Sequence, residues 1–294
     1  MKVLLALFTL TACSATARSS GDFDGAGAFT YLERQMAFGP RIPGTPGHEQ
    51  MGDWLHAELR TRADTVIVQD WTQRTRRGER LRLRNFLARF RPEAVERVLF
   101  LAHWDTRPRA DQSANLAAQR MPVPGANDGA SGVAVLLGVA DALKKVPPGV
   151  GVDLLFVDGE DYGDFSDSTE TLMGSRYFAA HQPPGYPPLY AVLFDMVADR
   201  DPQFYYEANS VAFAPEVVQR VWRVADRLGY GRIFLPGVRH TLTDDHVALQ
   251  QANIHAIDVV DFDYPFWHTT EDTLDKVSAG TLKIVGEVAV ALVR

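Results

Sequence analysis

The chain has 294 residues, of which 46% are hydrophobic and 23% are charged, and its formal net charge is −7. This composition excludes a disordered chain, a collagen and a coiled coil, and it suffices for one large core or two small ones. The negative charge argues against nucleic acid as a partner. A single cysteine excludes an intramolecular disulfide and a cysteine-rich zinc site, so a bound metal would need His, Asp and Glu ligands.

The first residues are typical of a targeting segment. A short apolar run, too short for a permanent membrane-spanning helix, indicates a secretory signal. It ends in LTAC, which resembles a bacterial lipobox and predicts a lipidated Cys13; cleavage after the ATA at 15–17 is the alternative. We expect a lipid anchor on the periplasmic side of the outer membrane. The expected parts are a signal peptide with lipobox at 1–13, a flexible tether at 14–27 and one folded domain at 28–294.

Apolar patterning along the remaining chain predicts strands that alternate with helices. The first helix begins at Thr45 and Pro46 and continues to about Arg62. Further strands are predicted at 65–71, 81–90, 97–103, 152–158, 189–196 and 254–260, and further helices at 128–145, 214–228 and 277–294. Buried strands separated by helices indicate a single α/β domain, in which a largely parallel central mixed sheet is covered by helices on both faces.

An arginine-rich stretch lies between Arg74 and Arg91, where eight arginines accompany one glutamate. An anionic partner is one interpretation of this charge. Charged side chains also protect exposed sheet edges, and we therefore predict a hairpin at the edge of the sheet.

Polar residues lie at the ends of several predicted strands, where open α/β sheets form their sites. They are His103 and Asp105 after the strand at 97–103, Asp128 at the next helix start, Glu160 and Asp161 after the strand at 152–158, Asp195 in the strand at 189–196, and His268 beyond the strand at 254–260. Singly, each could be a cap, a turn or a core residue. Together they indicate a metal site, for which zinc is the leading candidate.

Two local patterns suggest roles for these residues. Asp105 lies two positions after His103 on the same face of an extended segment, so it could accept the ring N–H of His103 and orient the ring. Glu160 and Asp161 are adjacent carboxylates, which repel each other unless a cation neutralises one of them. One of the pair would then bind metal while the other transfers protons.

Seven strings along the chain resemble one enzyme family. In order they are HWDTRPRAD, GANDGASGVAVLL, FVDGEDYGDF, MGSRYFA, FDMVAD, TDDH and FWHTTEDTLD. They are similar to the animal-type zinc-dependent glutaminyl cyclases and their bacterial membrane-anchored relatives. Those enzymes share fold and metal residues with zinc aminopeptidases of the bacterial leucyl aminopeptidase type. The resemblance covers about residues 26–294 and implies a catalytic domain with a zinc aminopeptidase-like fold.

The cyclase pattern implies one zinc ion, with Asp128, Asp161 and His268 as ligands. It implies that Glu160 is the proton-transfer carboxylate. It also implies a cis peptide bond after the metal-binding aspartate, between Asp128 and Gly129. The expected reaction converts the N-terminal Gln of a peptide or protein to pyroglutamate and releases ammonia.

The same pattern implies further residues around the proton-transfer carboxylate. Asp195 and Asp244 would belong to a hydrogen-bonded carboxylate network, and Trp267 would contact the substrate. An aromatic residue of the family's substrate wall is replaced by Phe165 or Ser166 in this chain.

Two alternatives to cyclization remain open. In the aminopeptidase pattern, Glu160 activates a water and two metal ions are held by His103, Asp128, Asp161, Asp195 and His268, with Asp128 bridging. A surface lipoprotein that only holds peptide N-termini is the other alternative. The TDDH string and the Trp267–His268 pair resemble the cyclases more closely than the aminopeptidases.

Overall fold

The computed structural model describes residues 23–165, 169–184 and 186–294. The predicted signal peptide, the lipobox and most of the expected tether fall in residues 1–22, outside the described residues, as does Ser166. No helix among the described residues has the length and apolar character needed to span a bilayer.

A six-stranded mixed sheet forms the centre of the protein. In the described part of the chain the strands are β1 (Thr65–Arg74), β2 (Arg80–Phe90), β3 (Arg97–His103), β4 (Gly151–Val157), β5 (Tyr190–Asp195), β6 (Phe204–Glu207), β7 (Phe234–His240) and β8 (Ala256–Val260). The central sheet has the order β1-β2-β4-β3-β5-β8, and β6 and β7 form a separate parallel pair. Strands β3, β4, β5 and β8 are parallel to one another. Strand β2 pairs in an antiparallel direction with β1 on one side and with β4 on the other.

Helices cover both faces of this sheet. They are α1 (Gly25–Met36), α2 (Pro46–Arg60), α3 (Ala130–Lys145), α4 (Met173–Ala180), α5 (Ala208–Phe213), α6 (Pro215–Arg227), α7 (Asp245–Gln251) and α8 (Ala279–Ala291). Helices α1, α3 and α8 pack together on one face, and α4 and α7 pack on the other. Side chains of β3 alternate between the two cores, with Phe100 in the larger and Leu99 and Leu101 in the smaller. The predicted fold class is therefore confirmed.

The start of α2 shows how local chemistry sets a boundary. Thr45 has an extended backbone and its side chain accepts a hydrogen bond from the amide of His48, while Pro46 occupies the first helical position. Proline is favoured there because its missing N–H would have no partner in a helix. The predicted start is confirmed, and the helix ends two residues before the predicted Arg62.

The tether predicted at 14–27 overlaps the folded domain. Helix α1 begins at Gly25, and the side chain of Asp24 accepts a hydrogen bond from the amide of Gly27 at its start. Phe23 is 4% exposed, and its ring lies where a Cβ on Gly138 or Gly286 would approach it to 2.5 or 2.2 Å. The two glycines leave room for this aromatic ring, so residues 23–27 are part of the domain rather than of a linker.

The predicted edge hairpin is confirmed. Strand β1 pairs with β2 in an antiparallel register and forms one edge of the central sheet. Several arginines of this stretch pair with carboxylates of the same chain: Arg82 with Asp70, Arg84 with Asp53, and Arg89 with Asp153. These contacts pair three of the eight arginines with carboxylates of the same chain.

Candidate active site

The predicted site residues converge at one edge of the central sheet. Strands β3, β4, β5 and β8 are parallel, so the residues that follow them meet at their carboxyl ends. A cavity of about 390 Å³ opens there and is lined by, among others, Asp128, Glu160, Asp195, Asp244, Trp267 and His268. His103 and Asp161 are buried beside it, each 1% exposed. The structure thus brings together every predicted ligand and carboxylate.

Asp128, Asp161 and His268 form a compact buried group with the geometry of a metal site. Nε2 of His268 lies 3.5 Å from Oδ2 of Asp128 and 3.3 Å from Oδ1 of Asp161. Ligand atoms about 2.0–2.1 Å from a tetrahedral zinc ion lie about 3.3–3.4 Å from each other. Oδ2 of Asp161 is also buried without a hydrogen-bond partner. These donors therefore fit zinc.

A second group shares Asp128 with the first. Nε2 of His103 lies 3.2 Å from Oδ1 of Asp128 and 3.1 Å from Oδ1 of Asp195. Asp128 therefore presents one carboxylate oxygen to each group, as a bridging ligand does. The geometry accommodates either one or two metal ions.

The electrostatic environment also suits a cation. Burial opposes protonation of His268, but Asp161, Asp111 and Asp128 raise its pKa to about 9. Burial likewise opposes protonation of His103, yet its neighbouring carboxylates raise its pKa well above the usual value. The site therefore favours positive charge at the positions where a metal ion would bind.

A hydrogen-bonded loop holds Asp128 in place. The carboxylate of Asp272 accepts hydrogen bonds from the amides of Asn127 (2.8 Å) and Asp128 (3.1 Å) and from the hydroxyl of Tyr264 (2.7 Å). The buried Arg41 donates to the carbonyls at positions 124 and 125. Burial and Asp128 raise the pKa of Asp272 to about 7.

The prediction of a cis peptide bond between Asp128 and Gly129 is wrong, because no described residue has a cis peptide bond. The chain turns here through Gly129, whose φ is +93°. A Cβ at this position would lie 2.5 Å from the carbonyl oxygen of Asp105. Only glycine accommodates both the backbone angle and the close approach.

Asp105 has different partners from those expected. Its two oxygens accept hydrogen bonds from the amides of Glu160 (3.0 Å) and Asp161 (3.2 Å). Oδ1 lies 3.6 Å from Nδ1 of His103, which is longer than an ordinary hydrogen bond. Asp105 therefore positions the backbone of the Glu160–Asp161 pair first and the ring of His103 only secondarily.

Glu160, Asp195 and Asp244 meet at the cavity wall. Asp244 caps the start of α7, where its side chain accepts from the amide of Asp245. Burial and Asp244 raise the pKa of Glu160 well above its usual range, and burial, Asp195 and Asp245 do the same for Asp244. No hydrogen bond between these three side chains is present in the described structure, and the hydrogen-bonded network stays a prediction. Ionised carboxylates only accept, and a bond between two of them requires a shared proton.

Aromatic residues line the outer part of the cavity. Trp267 stacks on His268 with ring centres 4.0 Å apart and lies 4.8 Å from Phe262. Phe165 is 38% exposed at the cavity wall, and the guanidinium of Arg107 lies 5.7 Å from its ring centre. Of the two residues predicted at the replaced wall position, Phe165 is the one the structure describes.

Two residues of the site have no role in the sequence-based prediction. Arg107 contacts Asp161, and Asp111 contacts His268. Both belong to the string HWDTRPRAD, but the string alone does not show that they reach two predicted metal ligands from distant segments.

Comparisons with known proteins agree with this geometry. The chain is similar to the structure of a Zn-dependent exopeptidase from Parabacteroides distasonis, with 34% identity and a TM-score of 0.89, over 92% of this chain and 98% of that one. It is similar to the glutaminyl cyclase of Porphyromonas gingivalis, with 39% identity and a TM-score of 0.86, over 92% of this chain and 97% of that one.

Similarity to curated proteins is more distant. A glutaminyl-peptide cyclotransferase-like protein of Bos taurus is 25% identical over 260 residues, which are 79% of this chain and 66% of that protein. The chain spans less than half, 45%, of the alkaline phosphatase isozyme conversion protein of Escherichia coli.

Residues 85–293 match the model of peptidase family M28. The matched range includes eight predicted site residues: His103, Asp105, Asp128, Glu160, Asp161, Asp195, Asp244 and His268. The relatives support zinc as the metal and an enzymatic function of the glutaminyl cyclase or exopeptidase type. The chain belongs to peptidase family M28.

Proposed function

We propose that the protein is a zinc-dependent glutaminyl-peptide cyclotransferase that acts on the N-termini of peptides or proteins. The observation that carries this proposal is the position of Asp244, a buried carboxylate beside Glu160 and Asp195. Its raised pKa favours a proton among these carboxylates, and Asp195 is a ligand of only the second metal group. A proton held there would compete with a second metal ion. The similarity to bacterial glutaminyl cyclases supports the same conclusion.

The cavity supplies the groups that cyclization requires. Zinc bound by Asp128, Asp161 and His268 would polarise the γ-carboxamide carbonyl of the substrate. Glu160 takes a proton from the α-amine as the amine nitrogen bonds to the amide carbon. It then returns the proton to the departing amide nitrogen, the carbon–nitrogen bond breaks, and ammonia leaves.

The surrounding residues favour binding of an N-terminal Gln. The carboxylates of the cavity can accept hydrogen bonds from the neutral α-amine that attacks, and Trp267 offers an aromatic face at the cavity edge. Since the nucleophile belongs to the substrate, the cavity needs only to fold the side chain back on the amine. No activated water is required, so one metal ion suffices.

A di-zinc aminopeptidase is the second candidate function. The complete group of His103, Asp128 and Asp195 favours it, because hydrolysis needs a water that is bound, deprotonated and aimed. In that reaction Glu160 would be the base that activates the water.

One experiment separates the two reactions. Zinc-loaded protein is given an N-terminal Gln dipeptide amide and, separately, a Leu amide, and the products are identified by mass spectrometry. Loss of ammonia with the peptide bond intact supports cyclization, whereas release of free Leu or Gln supports the aminopeptidase. Metal analysis should find one tightly bound zinc ion per chain. Two such ions would contradict the cyclase proposal.

We also propose that Cys13 carries a lipid that anchors the protein to a membrane, on the periplasmic side of the outer membrane. The LTAC string after a short apolar run supports this proposal. Labelled fatty acid should be incorporated into the wild type and not into Cys13→Ser. Equal labelling of both proteins would contradict it.

A further inference from the structure

Arg107 joins two parts of the site that are far apart in the sequence. Its Nη1 donates to Oδ1 of Asp161 at 2.8 Å and to the carbonyl of Gly163 at 3.1 Å. Its Nε and Nη2 donate to the two oxygens of Asp111 at 2.9 and 2.6 Å. The Arg107 side chain is only 6% exposed. One guanidinium therefore holds two carboxylates with separate donors, which suits its planar fork.

Asp111 continues this connection to a metal ligand. Its Oδ1 lies 3.5 Å from Nδ1 of His268, the ring nitrogen that faces away from Asp128 and Asp161. Metal-binding histidines commonly donate their second ring N–H to a carboxylate, which orients the ring. Asp111 occupies the position of such a carboxylate, at a distance that, as for Asp105 and His103, is longer than an ordinary hydrogen bond.

The backbone of His268 makes this support important. Its φ is +54°, a left-handed conformation that is unfavourable for residues with a Cβ. The carbonyl of His268 accepts from the amide of Gln112, the residue next to Asp111. The segment after Arg107 thus contacts both the ring and the backbone of this ligand.

We propose that Arg107 and Asp111 form a bracket that positions the metal ligands Asp161 and His268. Arg107 engages Oδ1 of Asp161 and thereby fixes the orientation of this carboxylate, whose Oδ2 has no hydrogen-bond partner. Asp111 orients the ring of His268. Both are positioning residues, since each acts through a ligand. The bracket serves the metal group used by cyclase and aminopeptidase alike, so its test does not depend on which reaction the protein catalyses.

An electrostatic effect of Arg107 and a positioning effect predict opposite changes in zinc affinity when this residue is replaced. A cation beside a ligand repels zinc, so its removal should strengthen zinc binding if only electrostatics mattered. Loss of the bracket should instead weaken binding, by about 10–100-fold for an outer partner of a metal ligand. The sign of the effect therefore distinguishes positioning from simple charge.

The test is zinc affinity of the full protein, measured by competition with a chromophoric chelator. Arg107→Gln and Asp111→Asn should each weaken binding about 10–100-fold. The double variant should be about as weak as either single variant, because the two residues act as one unit. Arg109→Gln is the matched control: this exposed arginine lies on the same segment, and its loss removes the same charge. Its zinc affinity should be unchanged or slightly stronger.

The visible absorption of the Co²⁺-substituted protein gives a second readout. It should change in Asp111→Asn and Arg107→Gln, because the geometry of the ligands changes, and should be unchanged in Arg109→Gln. Arg107→Lys keeps the charge but cannot hold two carboxylates with a planar fork, so it should also bind zinc weakly. Asp111→Glu should recover part of the affinity.

The proposal is overturned if folded Arg107→Gln binds zinc as tightly as Arg109→Gln. If Arg107→Gln does not fold, Asp111→Asn decides, since the side chain of Asp111 is 36% exposed and its replacement leaves the core intact. Wild-type zinc affinity in Asp111→Asn would then reject the bracket.

Discussion

The carboxylate of Asp105 accepts a hydrogen bond of 3.0 Å from the backbone amide of Glu160. Its second oxygen accepts from the amide of Asp161 at 3.2 Å. The side chain of Asp105, two residues beyond β3, therefore fixes the backbone of Glu160 and Asp161 beyond β4. One acceptor holds both the proposed proton-transfer carboxylate and its predicted metal-binding neighbour. This contact links two parallel strands at the site.

We predict that Asp105→Asn impairs both stability and turnover. Asparagine offers one acceptor oxygen, so one buried amide would face an N–H₂ group and lose its partner. The expected cost is about 1–3 kcal/mol in the free energy of unfolding, measured by urea denaturation. Turnover should fall because Glu160 is displaced. Asp70→Asn, at the exposed edge hairpin, is the control. Its turnover should be unchanged, and its free energy of unfolding should change by less than about 1 kcal/mol. Unchanged stability and turnover in Asp105→Asn would show that the two amides do not need this acceptor.

Glu160→Gln should abolish most of the turnover while the protein stays folded and binds zinc. The amide has nearly the same shape as the carboxylate but cannot take up a proton from the substrate amine. General acid–base catalysis contributes about 10²–10⁴-fold, and the loss in kcat should lie in this range. Product formation by mass spectrometry and zinc content by metal analysis provide the two measurements. A variant with full turnover would reject Glu160 as the proton carrier.

A pH-dependent contribution to stability is expected from Glu207, at the start of α5. Its carboxylate, 2% exposed, accepts from the amides of Asn209, Ser210 and Leu242, from the hydroxyl of Ser210 and from His246. Burial opposes ionisation, but the bonds with His246 and the amides lower the pKa of Glu207 from 4.5 to about 2. This carboxylate therefore stabilises the fold above pH 4.5, and its contribution disappears as the pH falls through about 2.

Glu207→Gln tests this contribution. At neutral pH the variant should be less stable by about 3 kcal/mol, since one pKa unit corresponds to about 1.4 kcal/mol. The difference from wild type should be constant between pH 7 and pH 5 and smaller at pH 3, as measured by urea unfolding. Glu216→Gln, which removes an exposed pair with His255, is the control and should cost less than about 1 kcal/mol. A difference that does not change with pH would contradict the assigned pKa.

Phe23→Ala should destabilise the domain although it lies near the expected tether. The ring is buried against Gly138 and Gly286, and its removal leaves a cavity between α3 and α8. Loss of a buried phenylalanine costs about 3–5 kcal/mol, which thermal or urea unfolding would measure. Phe213→Ala provides the comparison, since that ring is 37% exposed. Equal stability of the two variants would mean that residues 23–27 are a linker after all.

Much of the central fold follows from the sequence because strands and helices have local signatures. The interior strand β3 was predicted with its observed bounds, from a continuous apolar run. The short elements β6, β7, α4, α5 and α7 are not predicted by the sequence, because a few residues of mixed polarity show no clear period. Helix α1 was missed because its Gly- and Ala-rich start is also typical of a linker.

The sequence alone determined which residues form the candidate metal site. Strand ends can be read from local patterning, and parallel strands place their ends together, so the polar residues at these ends could be grouped before their distances were known. The resemblance to zinc enzymes implied which of them are ligands: His103, Asp128, Asp161, Asp195 and His268. Tertiary structure decided which partners hold them. Asp105 reaches two amides after β4, and Arg107 reaches Asp161 across 54 positions. Such contacts depend on the packing of distant segments, which no local pattern encodes.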